Sequence, residues 1–476
     1  MIAAARAQQS SFVPDWVKDA VFYEIFPERF ANGSTANDPP NTEPWGGEPT
    51  PRNYFGGDLE GIIQHMDYIT ALGVNTLYLT PIFESTSNHK YHTKSYLNID
   101  PHFGDDATFK RLVDSCHTRG IRIILDAVFN HTGVDFFAFE DIKKNGARSA
   151  YLGWYNIYSL PIGPPTRPNY ECWWGMGDLP KLMTTNPDVQ NHLFEATRHW
   201  MEFGIDGWRL DVPNEVPHQF WIKWRALVKS INPGAYILGE IWDDARPWLK
   251  GDQFDAVMNY RFRKACIDFF VKGTVSVARF DSTLSKQRLE YPGDVNFVLQ
   301  NLLGSHDTER FLTLCDGNVD LMKLAVLFQM TYLGAPMVYY GDEVGMTGRK
   351  DPGSRRTMVW DTSKQNAELL EFFRSIIALR NSSIALRRGS FEAVRVDSAR
   401  KVYIFVRRHA RQTATVVVNA GSKPAQLSIP VQGVDKELSW RQVWPANRKP
   451  NYRHVRAINV VVPPTGAAIF FGEKKQ

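Results

Sequence analysis

The chain has 476 residues, 43% of them hydrophobic, 22% charged and 13% aromatic. At roughly 100–200 residues per domain, that length predicts two or three globular domains and excludes disorder and a coiled coil. The formal net charge is only +4 despite a pI of 8.7, and no basic run or stripe offers a footprint for nucleic acid.

In chain order, residues 1–15 read as an N-terminal extension. Its apolar run, MIAAARAQQSSF, is too short for a signal peptide and is interrupted by Arg6, so a cytoplasmic location is expected. Eight candidate strands follow: Val21 to Phe26, Val74 to Phe83, Ile121 to Phe129, Gly207 to Val212, Tyr236 to Ile241, Ala256 to Phe262, Asn301 to Asp307 and Pro336 to Glu343. Amphipathic stretches such as Leu59 to Gly73 and Ala107 to Gly120 separate them, each ending in Gly. Continuous apolar strands alternating with helices imply an α/β protein with a covered parallel sheet, and eight of them suit a (β/α)8 TIM barrel over residues 16–131 and 186–387. An open doubly wound sheet is the structural alternative.

Residues 132–185 run through Gly, Pro, Tyr and Trp without clean helical periodicity, which predicts a subdomain inserted after strand three. From residue 388 to 476 the pattern changes to short β-rich runs, KVYIFVRR, TATVVVNA, AQLSIPV, INVVVPP and GAAIFFG, hence a C-terminal all-β domain, expected as a sandwich. The segment from Ala31 to Asp58 is a long Gly-, Pro- and Asn-rich loop after strand one. The cysteines Cys116, Cys172, Cys266 and Cys315 are scattered and read as reduced thiols. No run of about 18 apolar residues is present to span a membrane. The 14 Trp, 18 Tyr and 29 Phe suit buried cores, with aromatic stacking on sugar rings as the functional competitor.

Barrel enzymes place reactive groups where strands end. Here strand three carries Asp126, Asn130 and His131, strand four Arg209 and Asp211, strand five Glu240, and strand seven His306 and Asp307. Arg209 and Asp211, two apart on a strand, project to the same side, where the guanidinium favours the carboxylate form a nucleophile needs. Glu240 sits among Leu238, Ile241 and Trp242, an apolar neighbourhood that would keep it protonated as a general acid. Two carboxyls of separated acidity are the equipment of glycoside hydrolysis. Each residue alone also has a bland reading, as half of an ion pair or as packing; convergence on one barrel mouth is what favours function.

The strings DAVFNH (Asp126 to His131), GWRLDV (Gly207 to Val212), GEIW (Gly239 to Trp242) and LGSHD (Leu303 to Asp307) resemble, in order and spacing, the four signature regions of the alpha-amylase family. YEIFPERF, GVNTLYLTP, NHKYHT and GAPMVYYGDE are similar to further family strings, so the resemblance covers about residues 16 to 385. The string NEV (Asn214 to Val216) and LPKL (Leu179 to Leu182) resemble the cyclomaltodextrinase, neopullulanase and maltogenic amylase group.

The resemblance implies a retaining α-glucan hydrolase acting on cyclodextrins, pullulan, starch or maltooligosaccharides. Asp211 would be the nucleophile and Glu240 the acid/base; Asp307, Arg209, His131, His306 and Asp126 would bind the distorted sugar, with Tyr91 stacked beneath it. A transglycosylase on the same scaffold, or a non-catalytic relative, stays open. Trp173 and Trp174 on the insert are candidates for further subsites or for packing. The group usually begins with a β-domain of its own, whereas strand one here starts near residue 21, so a more open cleft is expected and the oligomeric state stays undetermined.

The resemblance also implies calcium, held in the first loop by Asn32, Asn37, Asp38, the Gly56 carbonyl and Asp58. Ser34 stands where the group has Asp, removing one charge from the site. The alternative is that these side chains merely cap turns. His92 stands where the group has Asp, with no role assigned.

Overall fold

The computed structural model describes residues 12–431, 438–445, 451–453 and 456–474; most of the expected N-terminal extension, residues 1–11, lies outside the described residues. Eight strands, β1 (Phe22–Ile25), β2 (Thr76–Leu79), β3 (Arg122–Ala127), β4 (Gly207–Leu210), β5 (Tyr236–Gly239), β6 (Ala256–Val257), β7 (Gln300–Leu302) and β8 (Ala335–Tyr339), pair in parallel in the order β6-β5-β4-β3-β2-β1-β8-β7. A parallel bridge between Met258 and Gln300, with the Asn259 amide donating to the Gln300 carbonyl at 2.8 Å, joins the two ends into a barrel. Side chains fill the interior and helices cover the outside, so nearly every strand residue is buried, which is why the strands read as continuous apolar runs.

Each of the eight strands is shorter than the run read from the sequence, and two elements differ in kind. The run from Ala256 to Phe262 yields only a two-residue strand, because the Asn259 side chain accepts the Phe262 amide at 3.1 Å and starts a helix over Tyr260–Cys266. The stretch from Leu59 to Gly73 splits into helices Leu59–Gln64 and Met66–Leu72 at His65. The His65 ring stacks on Trp360 at 3.8 Å.

Between β3 and the helix Pro187–Glu202, the chain makes one α-helix, Phe137–Asn145, three short 3-10 turns and a set of single bridges, Tyr155 with Leu182, Ile157 with Tyr170 and Cys172 with Pro180. A further bridge, His131 with Lys181, ties this segment to the end of β3. The helix has nine residues and buries only Ala138, Phe139 and Ile142, too short a stripe to register as periodicity.

The C-terminal strands are β9 (Ser390–Asp397), β10 (Val402–His409), β11 (Gln412–Asn419), β12 (Ala425–Pro430), β13 (Ser439–Trp444), β14 (Asn451–Arg453), β15 (Ala457–Val462) and β16 (Gly466–Glu473). Six form one sheet, β14-β13-β16-β11-β10-β9, and β12 pairs with β15. Alternation divides β10: Tyr403 and Phe405 join the barrel's core, while Val402 and Ile404 pack on Leu427, Ile429 and Ile458 within the β-domain. Strand β9, absent from the sequence reading, is an edge strand none of whose residues is fully buried, so it carries no apolar run.

Candidate active site

The barrel mouth is organised around one guanidinium. Arg209 on β4 is fully buried. Its Nη1 lies 2.8 Å from Asp126 Oδ2 and 2.9 Å from Asp211 Oδ1; its Nη2 lies 2.9 Å from Glu240 Oε2 and 4.0 Å from Asp307 Oδ2. Strand register explains this convergence: Asp126 on β3 pairs with Arg209, which pairs with Leu238 on β5, two residues before Glu240. Asp211 follows Arg209 by two and therefore shares its face.

Four carboxyl groups meet one guanidinium in a site from which water is largely excluded, so a proton held on one of them is favoured. Burial lifts both Asp211 and Glu240 above the ordinary carboxyl range, with Arg209 opposing the lift in each case. Asp307 goes the other way: burial works against its charge, but His306, Arg355 and Arg209 together hold it low. The Glu240 carboxyl also accepts the Val212 amide at 3.1 Å and the Trp242 indole N–H at 3.1 Å. Trp242 is thus a hydrogen-bond donor to Glu240, not only the apolar wall read from the sequence. Its ring stacks on Tyr260 at 3.7 Å and remains 47% exposed.

The opposite wall is built on histidine and tyrosine. The Tyr91 hydroxyl lies 2.9 Å from Asp126 Oδ2 and 2.7 Å from His306 Nε2, and the Tyr91 and His306 rings stack at 5.5 Å. His306 Nε2 also lies 3.1 Å from Asp307 Oδ2. Burial disfavours a charged His306, yet Asp307 and Glu24 hold its pKa above the ordinary value. His131 differs: burial pushes it down to about 3, so it is neutral, and its ring stacks on Trp173 at 5.5 Å. Trp173 in turn stacks on Trp174, which is 76% exposed and donates its indole N–H to Glu215 at 3.1 Å. His92 packs edge-on to His89 at 5.0 Å, and burial keeps both imidazoles neutral.

Asp211, Glu240, Asp307, Arg209, Asp126, His306 and Tyr91 are therefore one contiguous cluster, with His131 at its insert edge. Four participants were not singled out from the sequence. Glu24 on β1 holds His306, and Tyr78 on β2 donates to Asp126 at 2.8 Å. Arg355 lies 3.2 Å from Asp307 Oδ1 and donates to the His306 carbonyl at 2.9 Å. Tyr260 backs Trp242. A glutamate in the apolar strand Phe-Tyr-Glu-Ile is a legible signal; Arg355, in a loop after β8, carries none.

In the first loop, Asn32 Nδ2 donates to Asp38 Oδ1 at 2.8 Å and Asn37 Nδ2 to the His102 carbonyl at 2.8 Å, leaving the Oδ1 atoms of Asn32 and Asn37 buried without partners. A Cβ at Gly56 would fall 2.3 Å from Asp38 Oδ1, so its backbone closes against the cluster. Orphaned amide oxygens beside a carboxylate fit a hard cation such as calcium. Asp58 is engaged otherwise: it accepts the amides of Gly33 and Ser34 at 3.0 Å and of Gly61 at 2.6 Å, capping the helix Leu59–Gln64. Among the described residues, no group of three or more His, Cys, Asp or Glu side chains is arranged to hold a metal.

Residues 24–381 match the alpha amylase catalytic domain, and the chain belongs to the alpha-amylase family of glycoside hydrolases. It is 50% identical over 427 residues to the cyclomaltodextrinase of Geobacillus thermopakistaniensis (strain MAS1), covering 89% of this chain and 73% of that protein. It is 53% identical over 409 residues to neopullulanase 2 of Thermoactinomyces vulgaris, covering 85% and 70%. The cyclic alpha-maltosyl-(1→6)-maltose hydrolase of Arthrobacter globiformis, solved in complex with cyclic alpha-maltosyl-(1→6)-maltose, superposes with a TM-score of 0.89 at 42% identity, covering 96% of this chain and 99% of that one.

Proposed function

We propose that the protein hydrolyses α-1,4-glucosidic bonds of cyclomaltodextrins and related α-glucans with retention of configuration, through a glycosyl-enzyme intermediate. The observation that carries this is the single guanidinium of Arg209 in ion pair with both Asp211 and Glu240. It brings two carboxyls to one cation, where their mutual repulsion favours a proton on one of them.

Asp211, as carboxylate, attacks the anomeric carbon while protonated Glu240 gives its proton to the departing glycosidic oxygen. Glu240, now ionised, takes a proton from water, which attacks the same carbon and releases Asp211. Asp307, held low, and His306, held high, supply an acceptor and a donor for sugar hydroxyls, with Asp126, Tyr91 and neutral His131 completing the wall around the reacting ring. The similarity to a cyclomaltodextrinase and to a hydrolase of a cyclic maltosyl saccharide supports cyclic substrates. Calcium, if bound, would be held by Asn32, Asn37, Asp38 and the Gly56 carbonyl, where it would fix the first loop. Four free cysteines, three of them buried, support a cytoplasmic location.

The test is β-cyclodextrin and maltotriose hydrolysis by wild type and Asp211→Asn, with proton NMR of the first product. An α-anomer, together with a loss of several orders of magnitude in the variant at unchanged circular dichroism, is the expected result. A β-anomer, or a variant retaining about a tenth of the activity, sinks the reading.

A further inference from the structure

His89, Lys90 and Tyr91 are consecutive, and the middle residue turns its back on the cleft. Lys90 adopts a left-handed backbone conformation, φ 65°, which costs energy for any side chain with a Cβ. Its side chain is nevertheless fully buried. The ammonium lies 2.9 Å from Asp100 Oδ2 and over the rings of Phe103 and Tyr54, at 4.9 and 5.3 Å. Asp100 is buried as well and is held from the other side: the Ser85 amide donates to Oδ2 at 2.9 Å and the His102 amide to Oδ1 at 3.0 Å. The next residue, Tyr91, points the opposite way, to Asp126 and His306.

A buried ion pair contributes little net stability compared with apolar residues of the same volume, because desolvating both charges offsets their attraction. A strained lysine with its charge in the protein interior therefore calls for another explanation. We propose that Lys90 and Asp100 are positioning residues for the hydrolysis: the pair anchors the backbone turn that aims Tyr91 at the reacting sugar. A glycine at this position would adopt the same φ without cost but would supply no anchor. The second anchoring end reaches further, since Asn37 of the first loop donates to the His102 carbonyl at 2.8 Å. The inference rests on the reading of Tyr91 as part of the sugar wall.

The experiment is a double-mutant cycle on the full-length enzyme, with β-cyclodextrin and maltotriose as substrates and near-ultraviolet circular dichroism as the check on folding. Lys90→Met keeps the stem and removes the charge; Lys90→Gly removes strain and anchor together; Asp100→Asn removes the other charge with the smallest change of shape. Each is expected to lower kcat/KM by about tenfold or more, and each should cost less than about twofold further when introduced into Tyr91→Ala. Purely structural damage would multiply with Tyr91→Ala instead and would overturn the proposal. So would Lys90→Gly or Asp100→Asn variants that are as active as wild type. If Tyr91→Ala itself leaves kcat/KM unchanged, the reading of the sugar wall fails; if Tyr91→Ala is impaired while the Lys90 and Asp100 variants are not, only this inference fails. Should Lys90→Met not fold, Asp100→Asn decides on the same two criteria.

Discussion

His306 Nδ1 lies 2.5 Å from Glu24 Oε1, and the same oxygen accepts the His306 backbone amide at 3.2 Å. Glu24 is the third residue of β1 and is wholly buried, so a strand at the start of the chain fixes both the ring orientation and the charge of a residue 282 positions later. Glu24→Gln keeps the shape and removes the charge. Because Glu24 raises the His306 pKa, the imidazole of the variant should titrate at lower pH, measurable by NMR with labelled histidine. Hydrogen bonds to charged groups contribute about 1.5–3 kcal/mol, so kcat/KM should fall by about 10–100-fold. An unmoved His306 titration would falsify the role given to Glu24.

The first loop offers a measurement independent of activity. If Asn32, Asn37 and Asp38 hold calcium, the ion binds the native state alone and stabilises it by mass action, by about 2.7 kcal/mol at a hundred times its Kd. Chelator should therefore lower the melting temperature, and added calcium should restore it. Melting curves that do not respond to either return the loop to turn capping, the role that Asp58 already fills.

The barrel was legible because its strands are buried on both faces while helices such as Asp106–Thr118 are buried on one, so their apolar periods differ. The clustered carboxylates were legible because strand-end position and side-chain alternation are local properties: Arg209 and Asp211 share a face whatever the rest of the chain does. What escaped is set by tertiary contact. Arg355 reaches Asp307 from a loop with no periodicity, and Trp242 donates to Glu240 through a ring that composition alone marks only as apolar. The separation of acidities read from the sequence is not what burial produces: Glu240 is lifted as expected, but Asp211 is lifted too. Arg209 does oppose the lift on Asp211, but burial acts on both carboxyls, and burial is a property of the assembled mouth that neighbours in sequence do not determine.

A buried carboxyl away from the reacting groups predicts a pH dependence of stability. Asp342 accepts the Arg310 Nη1 at 2.9 Å, yet burial pushes its pKa up from 3.8 to about 7, with Arg310 opposing. The folded state thus holds a proton that the unfolded chain has released, so this contribution is full below the unfolded value and is lost as pH rises through the folded one. Each unit in that window costs about 1.4 kcal/mol. Asp342→Asn has no proton to lose. Its melting temperature, taken relative to wild type, should climb steadily between about pH 4 and pH 7 and level off above. A difference that stays flat across that range would place Asp342 in an ordinary ionised pair with Arg310.

The sharpest prediction concerns Arg209, because three carboxylates depend on one planar fork. Arginine can offer Nη1 to Asp126 and Asp211 while Nη2 faces Glu240; the point charge of a lysine can approach only some of them. Arg209→Lys is accordingly not conservative. Leaving a buried carboxylate without its partner costs about 3–5 kcal/mol, so the variant should melt well below wild type. Protons will relieve part of that cost. Since the Arg209 charge holds the Asp211 pKa down against burial, a lysine charge drawn away from Asp211 lets that pKa rise further, and the proposed attack needs Asp211 ionised. The acid limb of the kcat/KM profile should therefore move to higher pH, and activity at the wild-type optimum should drop by about a thousandfold or more. Arg209→Met, with no charge at all, should displace that limb further in the same direction. A Lys variant with an unshifted acid limb would mean that the acidity of Asp211 is set by something other than the guanidinium two residues before it, and the electrostatic account of the proposed nucleophile would have to be abandoned.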